Sequence, residues 1–522
     1  MIRRVLIALA MLSIAALSAT PRLVVLLCYD QLRADRIEAV RPWLSTQGFL
    51  RLLREGVVAE RCMFDYATTV TAAGHATIAT GCNPAHHGIV GNDFVIGERA
   101  LYATDDTLLG VPSPRLLLRP TLGDYLKANF PQSKVWSFSH KDRGAIFFGG
   151  YRPDGACWLV PHVGLGSSRY YHPLPAWVDE FNRQYAPARV AGTMWNAQYV
   201  PSSALSDTVE WEGRFPGGTT YFPHRIPSDT SSDDCWRAFA LTPMSVEWLF
   251  HATLTCIEKE HLGADSICDL LCISVSTTDL VGHHFGHDSR EYAELLVACD
   301  RILAAFLDEL DRRIGREHYV LVLTSDHGAG SIPELLRAEG LDAGRIRTDT
   351  LLARIQRWFV DQVGHASHQR HVRYFYPPWL WLDRTAAEMR GIPFDTLCTR
   401  LAQWLTTQEG IGIVMTARQI QHQALDTRVV GLVARSYHAE RCGDLALYPR
   451  EHWIFGTTPA QHGTPYPYDR WVPLVFFGGQ MKPGTITVPC SPADIMPTLA
   501  RMLDLSIGQV DGKSLPVGIH RR

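Results

Sequence analysis

The stretch LVVLLCYD, Leu23 to Asp30, is an unbroken apolar run that ends on a carboxylate. A run of this length without polar alternation fits a strand covered on both faces, as in a parallel sheet flanked by helices. Two later stretches repeat the pattern: LLCISVSTTD closes on Asp279, and HYVLVLTSDH closes on Asp326 and His327. Ligands of open α/β sheets bind beyond the carboxyl ends of the strands, so the recurrence of acids there marks where chemistry is expected. A fourth run, WVPLVFFGG, begins at Trp471 just after His462. Helical periodicity lies between, as in EYAELLVACDRILAAFLDELDRRI from Glu291, and Ser491 with Pro492 and Asp494 opens a helix at PADIMPTLARML. The expected fold is therefore α/β, with one mostly parallel central sheet that gathers both ends of the chain.

The rest of the chain agrees with a large folded protein. Of 522 residues, 46% are apolar, and 50 basic side chains nearly balance 53 acidic ones, which excludes a disordered or polycationic chain and gives no case for a nucleic-acid surface. Twelve cysteines without a CxxC pair are too sparse for a disulfide scaffold, and Cys28 and Cys272 lie inside strand-like runs as buried thiols would. The amino terminus, MIRRVLIALAMLSIAALSATPRL, places two arginines before an apolar run and small residues after it. It reads as a signal peptide over 1–19, with an uncleaved anchor as the alternative, so the protein is expected to be exported, periplasmic or secreted, with no other membrane segment. Residues 20–522 then form one catalytic domain, with insertions at roughly 145–255, rich in Tyr, Trp, Pro and Gly, and at roughly 331–450, where helical and strand-like patterns mix as in a small α+β lobe.

Asp279 and His283 stand four residues apart, which on a helical turn puts carboxylate and imidazole on one face. With Asp30, Asp326, His327 and His462 they make six oxygen and imidazole ligands that suit zinc and divide into two three-ligand sites. The segment DYATTVTAAGHATIATGCNPAHHGIVGND, from Asp65, supplies a hydroxyl where a helix begins. There the helix dipole favours an alkoxide or a phosphate, although an ordinary N-cap threonine reads the same way. Nothing local separates Thr71 from Thr68 or Thr69.

These segments, in order, with SFSHKDRGAIFFGG between them and AQHGTPYPYD near the end, resemble the alkaline phosphatase superfamily. The threonine spaced four before a histidine, and the later HGI..ND, resemble its nucleotide pyrophosphatase/phosphodiesterase branch and the threonine-nucleophile alkaline phosphatases close to it. The resemblance spans Asp30 to Asp469 and implies an alkaline phosphatase-like three-layer α/β/α sandwich. It also implies Thr71 as nucleophile and as ligand of one zinc ion with Asp30, Asp326 and His327, and Asp279, His283 and His462 around a second. Asn92 would bond a phosphoryl oxygen, and Lys141 and Arg143 would clamp the phosphoryl group. His86, His87, His284, His287 and Cys82 crowd these motifs without a role in the family pattern, and the CxPxR of sulfatases is missing.

The expected function is that of a monomeric two-zinc alkaline phosphatase, hydrolysing small phosphate monoesters through a phosphothreonine. A phosphodiesterase or nucleotide pyrophosphatase on the same site is the alternative, and a catalytically silent binding protein the third reading. The first two part at Lys141 and Arg143, because a dianionic phosphoryl group matches two cations whereas a diester must place an organic group there.

Overall fold

The computed structural model describes residues 20–518 apart from 208, 364–370, 386–390 and 423–427, so the leader assigned to 1–19 lies outside the described residues. A nine-stranded sheet runs, edge to edge, through Gly484–Ile486, Val57–Ala59, Val475–Gly478, Tyr319–Thr324, Leu23–Tyr29, Asp269–Val275, Val135–Ser139, Gly155–Val160 and Gly164–Gly166. The central pairings are parallel: Tyr319–Thr324 to Leu23–Tyr29, Leu23–Tyr29 to Asp269–Val275, Asp269–Val275 to Val135–Ser139, and Val135–Ser139 to Gly155–Val160. Register aligns Cys28 with both Ser274 and Thr324, so the acid-tipped strands finish level with one another.

The first strand shows why its sequence does not alternate. Leu23, Val25, Leu27 and Tyr29 belong to one core, with the helices Pro243–Lys259 and Arg290–Arg313. Val24, Leu26 and Cys28 belong to another, with Ile78 of the helix Thr71–Thr80 and the helix Ile495–Met502. Both faces are dry, so every position is apolar. Three layers result, helices on sheet on helices. All twelve cysteines are buried free thiols. Among the described residues no helix is long and apolar enough to cross a membrane.

The fourth run splits. Trp471–Val472 pairs with Cys62–Met63 outside the main sheet, and only Val475–Gly478 joins it, antiparallel to Tyr319–Thr324. Being antiparallel, it begins at the edge where the parallel strands end, which brings the preceding loop and His462 to the acids.

The stretch 145–255 is not uniform. The helix Asp142–Gly149, the sheet strands Gly155–Val160 and Gly164–Gly166 and the helix Pro243–Lys259 belong to the three-layer body, and the irregular part lies between them. There Trp195, Val200, Phe215 and Ile226 extend the first core. The stretch 331–450 carries a four-stranded sheet, Val372–Tyr376, Trp379–Leu382, Leu445–Pro449 and Ile411–Thr416, antiparallel throughout. Helices Thr348–Val363 and Phe394–Leu405 cover it with a core of their own, including Ile355, Phe359, Leu401 and Leu447.

Candidate active site

Four adjacent parallel strands deliver the polar residues to one edge: Asp326 and His327 follow Tyr319–Thr324, Asp30 follows Leu23–Tyr29, Asp279 follows Asp269–Val275, and Lys141 and Arg143 follow Val135–Ser139. They form two groups, Asp279 with His283 and His462, and Asp30 with Asp326 and His327, each with ligand atoms within 4.8 Å of one another. His283 Nε2 lies 3.2 Å from Asp279 Oδ1, and His327 Nε2 lies 3.4 Å from both Asp30 Oδ1 and Asp326 Oδ2.

The three imidazoles are oriented alike. His283 Nδ1 donates to the Ala460 carbonyl at 2.9 Å, His327 Nδ1 to that of Gly328 at 2.9 Å, and His462 Nδ1 to that of Thr69 at 2.7 Å. A carbonyl can only accept, so each Nδ1 carries a hydrogen, and in the neutral ring the Nε2 lone pair is the one left for a metal. Asp30 Oδ1, Asp326 Oδ2, His327 Nε2 and Thr71 Oγ1 are buried without hydrogen-bond partners. Such a convergence of orphaned oxygen and imidazole donors is costly as it stands and is what a divalent cation would satisfy, so the residues fit a metal.

Burial, with Asp279 and Asp326 beside it, pushes the Asp30 carboxyl well up. Against the upward push of burial, Lys141 and His283 hold Asp279 well below the usual carboxylate range, and His327 and His75 do the same for Asp326. His462 is driven well below the usual imidazole value by burial and then by His327 and His283, which keeps it neutral as a ligand must be.

The three candidate threonines are now distinct. Thr68 Oγ1 shares a hydrogen with the Tyr448 hydroxyl at 3.0 Å, and Thr69 Oγ1 donates to the Thr464 carbonyl at 3.3 Å, whereas Thr71 Oγ1 is unpartnered. Thr71 is also not the helix cap, a position Val70 holds. The helix Thr71–Thr80 lies hard against Asp326, for a Cβ added to Gly74 would come within 2.2 Å of the Asp326 carbonyl oxygen. Asn92 Oδ1 accepts from the Ala72 N–H at 3.0 Å, which fixes the amide beside Thr71 and leaves its NH2 free to donate.

Lys141 and Arg143 reach the site from one helix start. Lys141 Nζ donates to Asp30 Oδ2 and Asp279 Oδ2, and Arg143 Nη1 donates to the Tyr102 hydroxyl at 2.8 Å with its buried Nε unpartnered. Tyr102 in turn donates to Asp142 Oδ1 at 2.8 Å. Tyr102 is one of four residues to which the motifs assign no role. Gln31, at φ 68°, donates from its backbone to Asp326 Oδ1 and from its side chain to Asp279 Oδ1, tying the two groups together. His75 bridges the Thr71 carbonyl and Ser274 Oγ and sits 3.2 Å from Asp326 Oδ2. Asp469 accepts from the backbone and hydroxyl of Thr464 and so holds the loop of His462. Of the other histidines that crowd the motifs, His86 bonds Asp511, His87 bonds Thr77, His284 the Arg214 carbonyl and His287 the Gln31 carbonyl.

Comparison with known proteins points the same way. The family model for type I phosphodiesterase / nucleotide pyrophosphatase matches residues 24–467. Alkaline phosphatase PhoV of Synechococcus elongatus is 31% identical over 94% of this chain and 92% of its own, and alkaline phosphatase PafA of Elizabethkingia meningoseptica is 30% identical over 93% and 92%. The crystal structure of wild-type PafA superposes with a TM-score of 0.89 at 28% identity, covering 95% of this chain and 99% of that one, so the architecture is the alkaline phosphatase fold.

Proposed function

The chain belongs to the type I phosphodiesterase / nucleotide pyrophosphatase family of the alkaline phosphatase superfamily, and from that premise we propose that it is a phosphate monoester hydrolase with Thr71 as nucleophile. In this reading two zinc ions occupy the Asp30–Asp326–His327 and Asp279–His283–His462 groups. When bound, zinc supplies positive charge that eases deprotonation of a hydroxyl and neutralises a departing oxygen. The Thr71 oxygen, at the positive end of its helix, forms the new bond to phosphorus as the ester P–O bond breaks and the alcohol leaves. Water then cleaves the phosphothreonine, restoring the threonine and releasing phosphate. Two in-line displacements give net retention at phosphorus. Asn92 and Arg143 donate to the phosphoryl oxygens, where charge is spread, while Tyr102 holds the guanidinium in place. Residues 1–19, read as a leader, put this activity in the periplasm or outside the cell.

The observation that carries the monoesterase reading is the pair of cations, Lys141 and Arg143, both partly buried at the edge that holds Thr71. Two cations match a dianionic phosphoryl group better than a diester. The family description itself keeps diester hydrolysis as the second reading. Steady-state comparison of an aryl monoester with a bis-aryl diester on one zinc-loaded sample tests the choice. The monoester should be the better substrate by kcat/KM, and faster diester cleavage would reverse the assignment.

A further inference from the structure

Beside the two acid–histidine groups lies a cleft of about 510 Å3, a size ordinary for a small-molecule site. His283, His462 and Asn92 line it, so it is continuous with the site described above. Pro377, Pro378 and Pro449 of the antiparallel lobe, and Trp453 and Phe455 of the short strand that follows it, also line it. Phe455 is half-buried and packs edge-on against Phe375 at 5.4 Å, and Trp453 Nε1 is anchored on Asp342, so the aromatic wall is held rather than loose. No Lys, Arg, Asp or Glu lines this space. A ring-lined cleft without lysine, arginine or carboxylate side chains thus opens directly from a heavily charged phosphoryl site.

The direction of the reaction says what enters it. The helix that begins with Thr71 packs against Asp326, so attack comes from the side of the Asp30–Asp326–His327 group. In-line displacement puts the leaving oxygen opposite the nucleophile, towards Asp279, His283 and His462, and two of those three residues line the cleft. Resting on the monoesterase reading, we propose that this cleft receives the leaving group. The favoured substrates are then monoesters whose leaving alcohol is uncharged and carries a planar ring, aryl or nucleoside. A ring gains contact with the prolines, Trp453 and Phe455 and leaves water. A leaving group bearing a further phosphate or carboxylate loses its hydration there and finds no lysine or arginine along the cleft to pair with.

The test uses the zinc-loaded full chain and three substrates. Adenosine 5′-monophosphate and ribose 5-phosphate release chemically alike primary alcohols, so the ratio of their kcat/KM values reports the ring alone. Adenosine diphosphate releases a leaving group that is intrinsically better but charged. Adenosine monophosphate should exceed ribose 5-phosphate by at least about tenfold, in keeping with burial of one ring face, and should also exceed the diphosphate. Phe455→Ala should move the monophosphate-to-sugar-phosphate ratio towards one. A ratio near one in the native protein, a ratio that Phe455→Ala does not change, or faster cleavage of the diphosphate would overturn the inference. Should Phe455→Ala fail to fold, the two native ratios still decide. If neither the nucleotide nor the sugar phosphate is cleaved while a diester is, the monoesterase reading fails and takes this inference with it.

Discussion

The Lys141 ammonium lies 2.8 Å from the Asp30 carboxylate and also donates to that of Asp279, so one partly buried cation joins both acid–histidine groups. Lys141→Ala therefore removes a charge shared by the two halves of the site. Charge-assisted hydrogen bonds contribute about 1.5–3 kcal/mol each, or roughly ten- to a hundredfold in rate when they strengthen in the transition state. Lys141→Ala and Arg143→Ala should each lower monoester kcat/KM by that order and diester kcat/KM much less. Equal losses on both substrates would count against the clamp.

Tyr102→Phe should lower monoester kcat/KM by about three- to tenfold, less than loss of the guanidinium itself, because the phenol reaches the reaction only by positioning Arg143. The phenol oxygen accepts from Arg143 and donates to Asp142, and phenylalanine keeps the ring while losing both. Because Tyr102 acts through Arg143, Tyr102→Phe in an Arg143→Ala background should cost almost nothing more. Additive losses in that double-mutant cycle would show the two to be independent.

Purified, undialysed protein should hold two zinc ions per chain, measured by elemental analysis, and His283→Ala should hold about one. Chelation should abolish turnover while far-ultraviolet circular dichroism stays nearly unchanged, since the three-layer core is complete without the site. Activity that survives strong chelation would remove the metal from the account.

His87 gives the fold an acid limit. Its Nδ1 accepts from the Ile89 N–H and its Nε2 donates to Thr77, so it is buried neutral, and burial followed by Arg441 lowers its pKa to about 3. This folded value lies below the ordinary 6.5, so the unfolded chain takes up the proton first as pH falls. The contribution is complete above pH 6.5 and is lost towards pH 3, at up to about 1.4 kcal/mol per pH unit. Denaturant unfolding at pH 7 and pH 5 should show a weaker pH dependence for His87→Asn than for the native chain. Identical slopes would refute the assignment.

How much of this is legible in the sequence depends on how local each cause is. Leu23–Tyr29 reads as a doubly covered strand because both of its faces meet apolar cores. Asp30, Asp279 and Asp326 read as a cluster because parallel strands must end together. Trp471–Val472 misleads because its apolar character serves pairing with Cys62–Met63, more than 400 residues away in sequence. The choice of Thr71 over Thr68 and Thr69 needs Tyr448 and Thr464, which only the fold brings near. The roles of Gln31, His75 and Tyr102 are hidden for the same reason, although the spacing of His75 from Thr71 is itself legible: each acts through hydrogen bonds whose partners lie far along the chain or carry no pattern.

The central claim is that phosphate passes through Thr71, and rapid acid quenching of the zinc-loaded protein during turnover of a labelled monoester tests it most directly. Peptide mapping should find the label on Thr71 in the native chain and none in Thr71→Ala, which should keep its zinc and lose nearly all turnover, while Thr71→Ser retains some. Label on another residue, or wild-type turnover by Thr71→Ala, would contradict the account.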